Sequence, residues 1–272
     1  MMINRSRSAI TFVLAGQAAL AGCEGVPQDR AAAESVTTSN GVIERLNAGE
    51  PVFGIFSGEH TPEQGAKMAE LIEADFIFYS LESGPFDIPA LQAYLEAMHE
   101  AAEAPTVASP PLLLRIPPIT DGEPTRERVR EALNANVSGI VFPHVTSAEQ
   151  AEMSVAVMGD RLWPGNPQGD LVNVVIVEDP EGIENVGAIA RTAGLTVLFP
   201  GPGDLRRAYD GNMDAVELAI QTVLSACKEV NLPCGITAGS DDIEERLEQG
   251  FRVFIVSQPE ALTVGRAAAN RF

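Results

Sequence analysis

The chain predicts one α/β domain of the (β/α)8 TIM-barrel class, and three observations carry that expectation. From residue 41 onward, short apolar runs alternate with longer helical patterns, the rhythm of repeated βα units. The length of 272 residues, 45% of them hydrophobic, suits one barrel of about 250 residues. No glycine-rich GxGxxG turn follows the first apolar run, which argues against an open doubly wound sheet.

In chain order, Val42 to Asn47 predicts a lead-in helix. The expected strands are Val52 to Phe56, Phe76 to Tyr79, Leu112 to Ile116, Gly139 to Phe142, Val172 to Val177, Thr196 to Phe199, Cys234 to Thr237 and Val253 to Val256. Between them fall helical patterns over Pro62 to Glu73, Ile88 to Glu103, Thr125 to Asn134, Ser147 to Val157, Gly182 to Thr192, Met213 to Glu229 and Asp241 to Gln249, with Gln258 to Asn270 closing the chain. Start signals support several of them: Pro62 at a first helical position behind Thr61, Ser147 ahead of Glu149 and Gln150, and Ser240 ahead of two aspartates. Asp160 to Asp170, rich in Pro and Gly, breaks the rhythm as a loop and carries the only tryptophan. It is placed to cover a site or to fill a subunit contact.

The first 22 residues read as a targeting segment rather than part of the fold. Arg5 and Arg7 form a basic start, Ala9 to Leu20 is mostly apolar, and Leu20-Ala21-Gly22-Cys23 closes it. That apolar stretch is too short to span a membrane. Leu-Ala-Gly-Cys resembles the lipobox of bacterial lipoproteins, which implies lipidation of Cys23 and an extracytoplasmic protein anchored on the periplasmic side of a bacterial membrane. Residues 23–40 then read as a flexible tether and 41–272 as the barrel domain.

The net charge of −20 becomes two units more negative once Arg5 and Arg7 are removed. Such a surface repels phosphate backbones and anionic headgroups, so nucleic acid is an unfavourable partner and membrane association rests on lipid. Cys227 and Cys234 are either paired in an oxidising compartment or buried as free thiols, and their spacing is no metal signature.

Parallel strands joined by crossover helices point the same way, so the residues just past each strand gather on one face, where barrel enzymes carry their sites. Those residues are Glu59 and His60, then Ser80, Glu82 and Ser83, then Arg115, then Pro143 and His144, then Glu178, and finally Gly201 to Asp204. Glu178 and Asp204 follow neighbouring strands and suit a hard divalent cation with oxygen ligands. Alternatively, Glu178 caps the next helix and Asp204 steadies the turn. Arg115 ends an apolar strand, where a guanidinium is costly unless it faces an anion: a substrate carboxylate, or Glu82.

Asn40 to Gly54, Asp75 to Asp87, Leu114-Arg115-Ile116-Pro117, Pro143-His144-Val145 with Ser147 to Ala151, Glu178 and Gly201 to Leu205 resemble, in order and spacing, the landmarks of the HpcH/HpaI aldolase family. These are class II 2-oxo acid aldolases related to hydroxy-oxo-heptanedioate aldolase. The resemblance covers nearly everything after residue 40. It implies a (β/α)8 barrel, assembly as a homo-oligomer (trimer or hexamer), and Mg²⁺, Mn²⁺ or Co²⁺ used to bind pyruvate and stabilise its enolate. It makes Glu178 and Asp204 the metal ligands and Arg115 the group that fixes the pyruvyl moiety. Gly201, Pro202 and Gly203 become the segment that receives the substrate carboxylate.

The chain departs from the family at Ser80-Leu81-Glu82-Ser83. Ser83 stands where the catalytic His is usual and is left only as a substrate contact, while Ser80 replaces the Asp that orients that His. Ile176 stands where the family has a Gln. A lone serine is no general base near neutral pH. His60, beside the second strand, is the candidate substitute proton-transfer group, with Glu59 as its helper; alternatively it is a loop or capping histidine with no chemistry. His144 is expected to be a supporting residue. The function implied is carbon–carbon cleavage of a 2-oxo acid with an altered base. The competing reading is an inactive barrel kept as a binding or scaffolding lipoprotein.

Overall fold

The computed structural model describes residues 40–102, 109–120 and 123–271. The targeting segment, Cys23, the tether up to residue 39 and the expected helix end at Glu103 lie outside the described residues. Eight parallel strands alternate with helices: β1 (Val52–Phe56), β2 (Phe76–Ser80), β3 (Leu112–Arg115), β4 (Gly139–Phe142), β5 (Val172–Val177), β6 (Val197–Pro200), β7 (Gly235–Thr237) and β8 (Val253–Val256). They form one sheet in the order β6-β5-β4-β3-β2-β1-β8-β7. The ring closes through a single parallel bridge between Leu198 and Cys234, where Leu198 N–H donates to the Pro233 carbonyl at 3.1 Å. This is the (β/α)8 barrel expected from the alternation.

The helices are α1 (Gly41–Asn47), α2 (Pro62–Ala69), α3 (Ile88–Ala101), α4 (Glu123–Asn134), α5 (Ala148–Ala156), α6 (Pro180–Ala190), α7 (Pro202–Ala208), α8 (Met213–Val230), α9 (Ile243–Gln249) and α10 (Pro259–Ala268). Side-chain alternation sorts the strands into two layers. Val52, Phe76, Phe78, Leu113, Val141, Val172, Val174, Ile176, Val197, Phe199, Val253 and Ile255 fill the barrel interior. Phe53, Ile55, Ile77, Tyr79, Leu112, Leu114, Ile140, Phe142, Val175, Val177, Leu198 and Phe254 face the helices. The interior is tight: a Cβ on Gly54 would lie 2.2 Å from the Phe76 ring, so glycine there makes room for the aromatic filling.

The amino ends of the strands are plugged. Asn40 caps α1 and its side-chain amide donates to the Ser138 and Asp170 carbonyls, which presses Val42 and Leu46 onto the interior cluster. Trp163 packs on the same cluster, so the loop before β5 covers the floor of the barrel rather than its mouth. Beside it, buried Asp75 receives both terminal nitrogens of Arg271 at 2.6 and 2.7 Å and Arg45 Nε at 3.1 Å, tying the last residues described to the start of β2.

Three differences from the sequence expectations have local causes. α2 ends at Ala69 rather than Glu73, because Glu70 and Leu71 N–H turn to carbonyls three residues back and tighten the chain out of the helix. The Gly-Pro-Gly turn is followed at once by α7, with Gly201 as its cap and Pro202 at its first position. Cys227 at the end of α8 and Cys234 before β7 form a disulfide with a Cα separation of 5.8 Å, so both pair rather than remaining free. No helix among the described residues is long and apolar enough to cross a membrane.

Candidate active site

Along β5, Val172, Val174 and Ile176 point inward, and the same alternation brings Glu178, the residue after the strand's end, to the top of that column. Its side chain is only 2% exposed. Glycine at the matching level past β6 makes that burial feasible: a Cβ on Gly201 would come within 2.2 Å of Glu178 Oε2. The carboxylate therefore lies in a cradle that a side chain would fill. Burial is the main reason its pKa is pushed up to about 7; His144 lowers it, and the charges of Asp204 and Glu82 raise it further.

Arg115 occupies the equivalent position on β3, in line with Leu113 and in register with Ser80 of β2. Its Nε donates to Ser80 Oγ at 2.9 Å, and its Nη2 lies 2.9 Å from Glu82 Oε2. The guanidinium also sits 5.3 Å from the centre of the Phe78 ring beneath it. Glu82 is thus held by one oxygen; the other, Oε1, is buried without a hydrogen-bond partner.

That free oxygen faces His144 Nε2 at 3.7 Å, and Glu178 Oε1 lies 3.8 Å from the same nitrogen. His144 N–H donates to Glu178 Oε1 at 3.1 Å, and its Nδ1 is 2.9 Å from Asp179 Oδ2. Burial works against a charged imidazole here. The Asp179 hydrogen bond and the fields of Glu178, Asp179 and Asp204 outweigh it, so the His144 pKa is raised. Glu82, His144 and Glu178 each offer a ligand atom within 4.8 Å of the others, a candidate metal site among the described residues. A buried, unpartnered Glu82 oxygen and a cradled Glu178 carboxylate fit a divalent cation.

The remaining expected residues are placed as follows. Asp204, in the first turn of α7, is ion-paired with Arg207 one turn on, and its charge reaches both Glu178 and His144 without its oxygens joining their cluster. Gly201 N–H donates to the Val177 carbonyl at 3.1 Å and Pro202 has no N–H. Gly203 is the one of the three whose amide, in the first helical turn, lacks an intrahelical acceptor. Ser83 is exposed beyond Glu82. His60 stacks on Tyr79 with ring centres 4.0 Å apart. Tyr79 faces the helix layer, so the structure sets His60 on the other side of β2 from Ser80 and Arg115. Burial of the stacked ring lowers its pKa.

Sequence reasoning passed over Glu82 as a ligand candidate and the His144–Asp179 pair. The available signal was modest: Glu82 and His144 each lie just past a strand, and Asp179 adjoins Glu178.

A TIM barrel whose mouth gathers carboxylates, an imidazole and an arginine has the make-up of a barrel enzyme site able to hold a metal ion. The chain belongs to the HpcH/HpaI aldolase/citrate lyase family, whose profile matches residues 53–256. It is 26% identical over 221 residues to the 2-dehydro-3,6-dideoxy-6-sulfogluconate aldolase of Pseudomonas putida, covering 71% of this chain and 81% of that protein. It is 24% identical over 260 residues to the hydroxypyruvate/pyruvate aldolase of Paraburkholderia phytofirmans, covering 85% and 95%. The fold is shared with a HpcH/HpaI family protein from Burkholderia cenocepacia, at a TM-score of 0.69 and 23% identity over 85% of this chain and 97% of that one. It is also shared with CitE from Mycobacterium tuberculosis, solved with magnesium and acetate, at a TM-score of 0.59 and 18% identity over 84% and 93%.

Proposed function

We propose that this barrel is a divalent-metal carbon–carbon lyase that acts on a small 2-oxo acid through a pyruvate-type enolate. The observation that carries this reading is the convergence of Glu178, Glu82, His144 and Arg115 at the mouth of a barrel of this family. Aldolase relatives support the substrate class. Mg²⁺, Mn²⁺ or Co²⁺ held by Glu178, with Asp204 as its expected co-ligand, would act as a Lewis acid on the keto and carboxylate oxygens of the substrate.

The chain's own groups supply the rest. Arg115 fixes the pyruvyl moiety and neutralises negative charge as it develops on oxygen. Gly201 and Pro202 line the carboxylate end of the site and Gly203 offers it an amide donor. For Asp204 to turn inward, Arg207 releases it, and that side chain is 73% exposed and free to do so. Proton transfer is the weak step: Ser83 cannot perform it, and His60 would have to leave its stack on Tyr79 to approach the mouth. The reading therefore expects turnover about 10²- to 10⁴-fold below that of a barrel with its base in place. Lipid anchoring through Cys23 at the extracytoplasmic face and assembly as a homo-oligomer belong to the same proposal.

The exposed Ser83 also favours a second reading, an inactive barrel that binds a 2-oxo acid without cleaving it. Titration of Mn²⁺ into the protein and its Glu178→Ala form, combined with exchange of pyruvate methyl protons followed by NMR, separates the two. Metal-dependent exchange that disappears in Glu178→Ala supports the lyase, whereas metal and pyruvate binding without exchange supports the binding protein. Absence of metal binding would sink the lyase reading.

A further inference from the structure

The contacts around His144 aim its outer nitrogen at two carboxylates. Its backbone adopts φ 53, in the left-handed region that histidine, like asparagine, enters more readily than most residues. Asp179 stands at the N-cap of α6, where a carboxylate ordinarily accepts from the helix's own first N–H groups, yet its side chain makes no capping bond. It engages His144 Nδ1 at 2.9 Å instead. That contact fixes the ring and places the Nδ1 proton, leaving the Nε2 lone pair pointing away from Asp179. Nε2 then faces Glu82 Oε1 and Glu178 Oε1 at 3.7 and 3.8 Å. Those separations are too long for hydrogen bonds. They fall within the span of two bonds of about 2.1 Å each to one shared cation.

Metal-ligating histidines characteristically donate their other nitrogen to a carboxylate, which sets the tautomer and sharpens the ligand. Resting on the metal-site reading above, we propose that His144 Nε2 is itself a metal ligand beside Glu178 and Glu82, with Asp179 as its positioning residue. The mixed nitrogen and oxygen set would select a cation that accepts imidazole, such as Co²⁺, Zn²⁺ or Fe²⁺, over Mg²⁺, which suits all-oxygen sites. Arg115 keeps Glu82 Oε2 occupied, so Glu82 presents only Oε1 to the ion.

The test uses the folded chain with Co²⁺, Mg²⁺ and Mn²⁺ as probes, and the His144→Asn and Asp179→Asn variants. Asparagine tolerates the left-handed backbone, so His144→Asn keeps the local fold, checked by circular dichroism. The expected result is ¹⁴N hyperfine coupling from an imidazole in pulsed EPR of the Mn²⁺ form, lost in His144→Asn. With it should come a Co²⁺ affinity that falls about 10²-fold in His144→Asn and about 10-fold in Asp179→Asn, while Mg²⁺ affinity changes by less than about 3-fold. Mn²⁺ bound at a site abolished by Glu178→Ala, but with no nitrogen coupling and unchanged Co²⁺ affinity in His144→Asn, overturns the assignment and leaves the lyase reading standing. No metal binding at all overturns both.

Discussion

Arg115 and Glu82 are joined at 2.9 Å across the ends of β3 and β2, and Ser80 Oγ takes the guanidinium's Nε on the same edge. The arginine is thus aimed by two residues of the neighbouring strand and cushioned from below by Phe78. A planar fork fits this setting and an ammonium does not. Arg115→Lys should therefore behave almost like Arg115→Ala, each lowering kcat/KM for the 2-oxo acid about 10²- to 10³-fold. Steady-state kinetics of both variants check this. Full activity in Arg115→Lys would show that only charge matters at this position.

Ser83 sits in the exposed stretch past Glu82, at the place where the family resemblance implies a histidine. On the proposed reading, in which a positioned base is what the barrel lacks, Ser83→His should raise metal-dependent exchange of pyruvate methyl protons by about 10²-fold. An unchanged exchange rate, read by NMR with a metal-saturated protein, would mean that proton transfer is not what limits this barrel.

Gly201 and Glu178 are in direct contact, and an added methyl group would overlap Glu178 Oε2 at 2.2 Å and Cβ at 2.7 Å. Gly201→Ala should cost about 1–3 kcal/mol of folding stability through overpacking and also weaken Mn²⁺ binding. Urea unfolding and calorimetric titration measure the two effects. Wild-type metal affinity in this variant would show that the carboxylate can leave its cradle without loss.

The Cys227–Cys234 cross-link closes a short loop between α8 and β7. In the chain-entropy view a loop of that length is worth about 2–3 kcal/mol. The double Cys→Ser variant should lose that much in urea unfolding, and the oxidised protein should lose it on adding a reductant. Identical midpoints with and without reductant would count against the cross-link.

The Arg246 side chain donates to both Glu217 oxygens at 2.7 and 2.8 Å, which holds the Glu217 pKa below its ordinary 4.5. A depressed carboxylate stabilises the fold above its unfolded pKa, and that contribution is lost as pH falls through the lower folded value. The stability gap between wild type and Arg246→Met should therefore be full near pH 7 and shrink below about pH 4.5. A gap independent of pH down to pH 3 would assign Arg246 a packing rather than a charge contribution.

Most of the frame could be read from the residues because strands buried on both faces write themselves as unbroken apolar runs. VFIV at β8 is of this kind, VNVVIV at β5 departs from it only at Asn173, and the ends of both match the expectation. α7 escaped notice because Pro202 and Gly203 resemble a turn, although proline is equally at home in a first helical position. Glu178 was visible as an acid just past a strand. Its partners were not, because whether Glu82 and His144 meet it depends on the left-handed backbone at His144 and on Asp179 abandoning its helix cap. The placement of His60 was not legible for a related reason: proximity to β2 says nothing about which face of that strand a ring will choose, and here the ring stacks on Tyr79.

β6 is laddered to β5 over Val197 to Pro200, but among the described residues its backbone pairing on the β7 side is the Leu198–Cys234 bridge, beside which the Phe199 ring packs on Gly235. β5, by contrast, is clamped by full ladders on both flanks. Fewer ladder bonds on that flank lead to an expected difference in stiffness across the mouth, with Glu178 on the doubly laddered strand and Asp204 beyond the singly laddered one. On that expectation, the α7 segment yields to an incoming ligand before the buried glutamate does. Amide exchange at Leu198 and Phe199 should outpace that at Val174 and Val175 for the same reason.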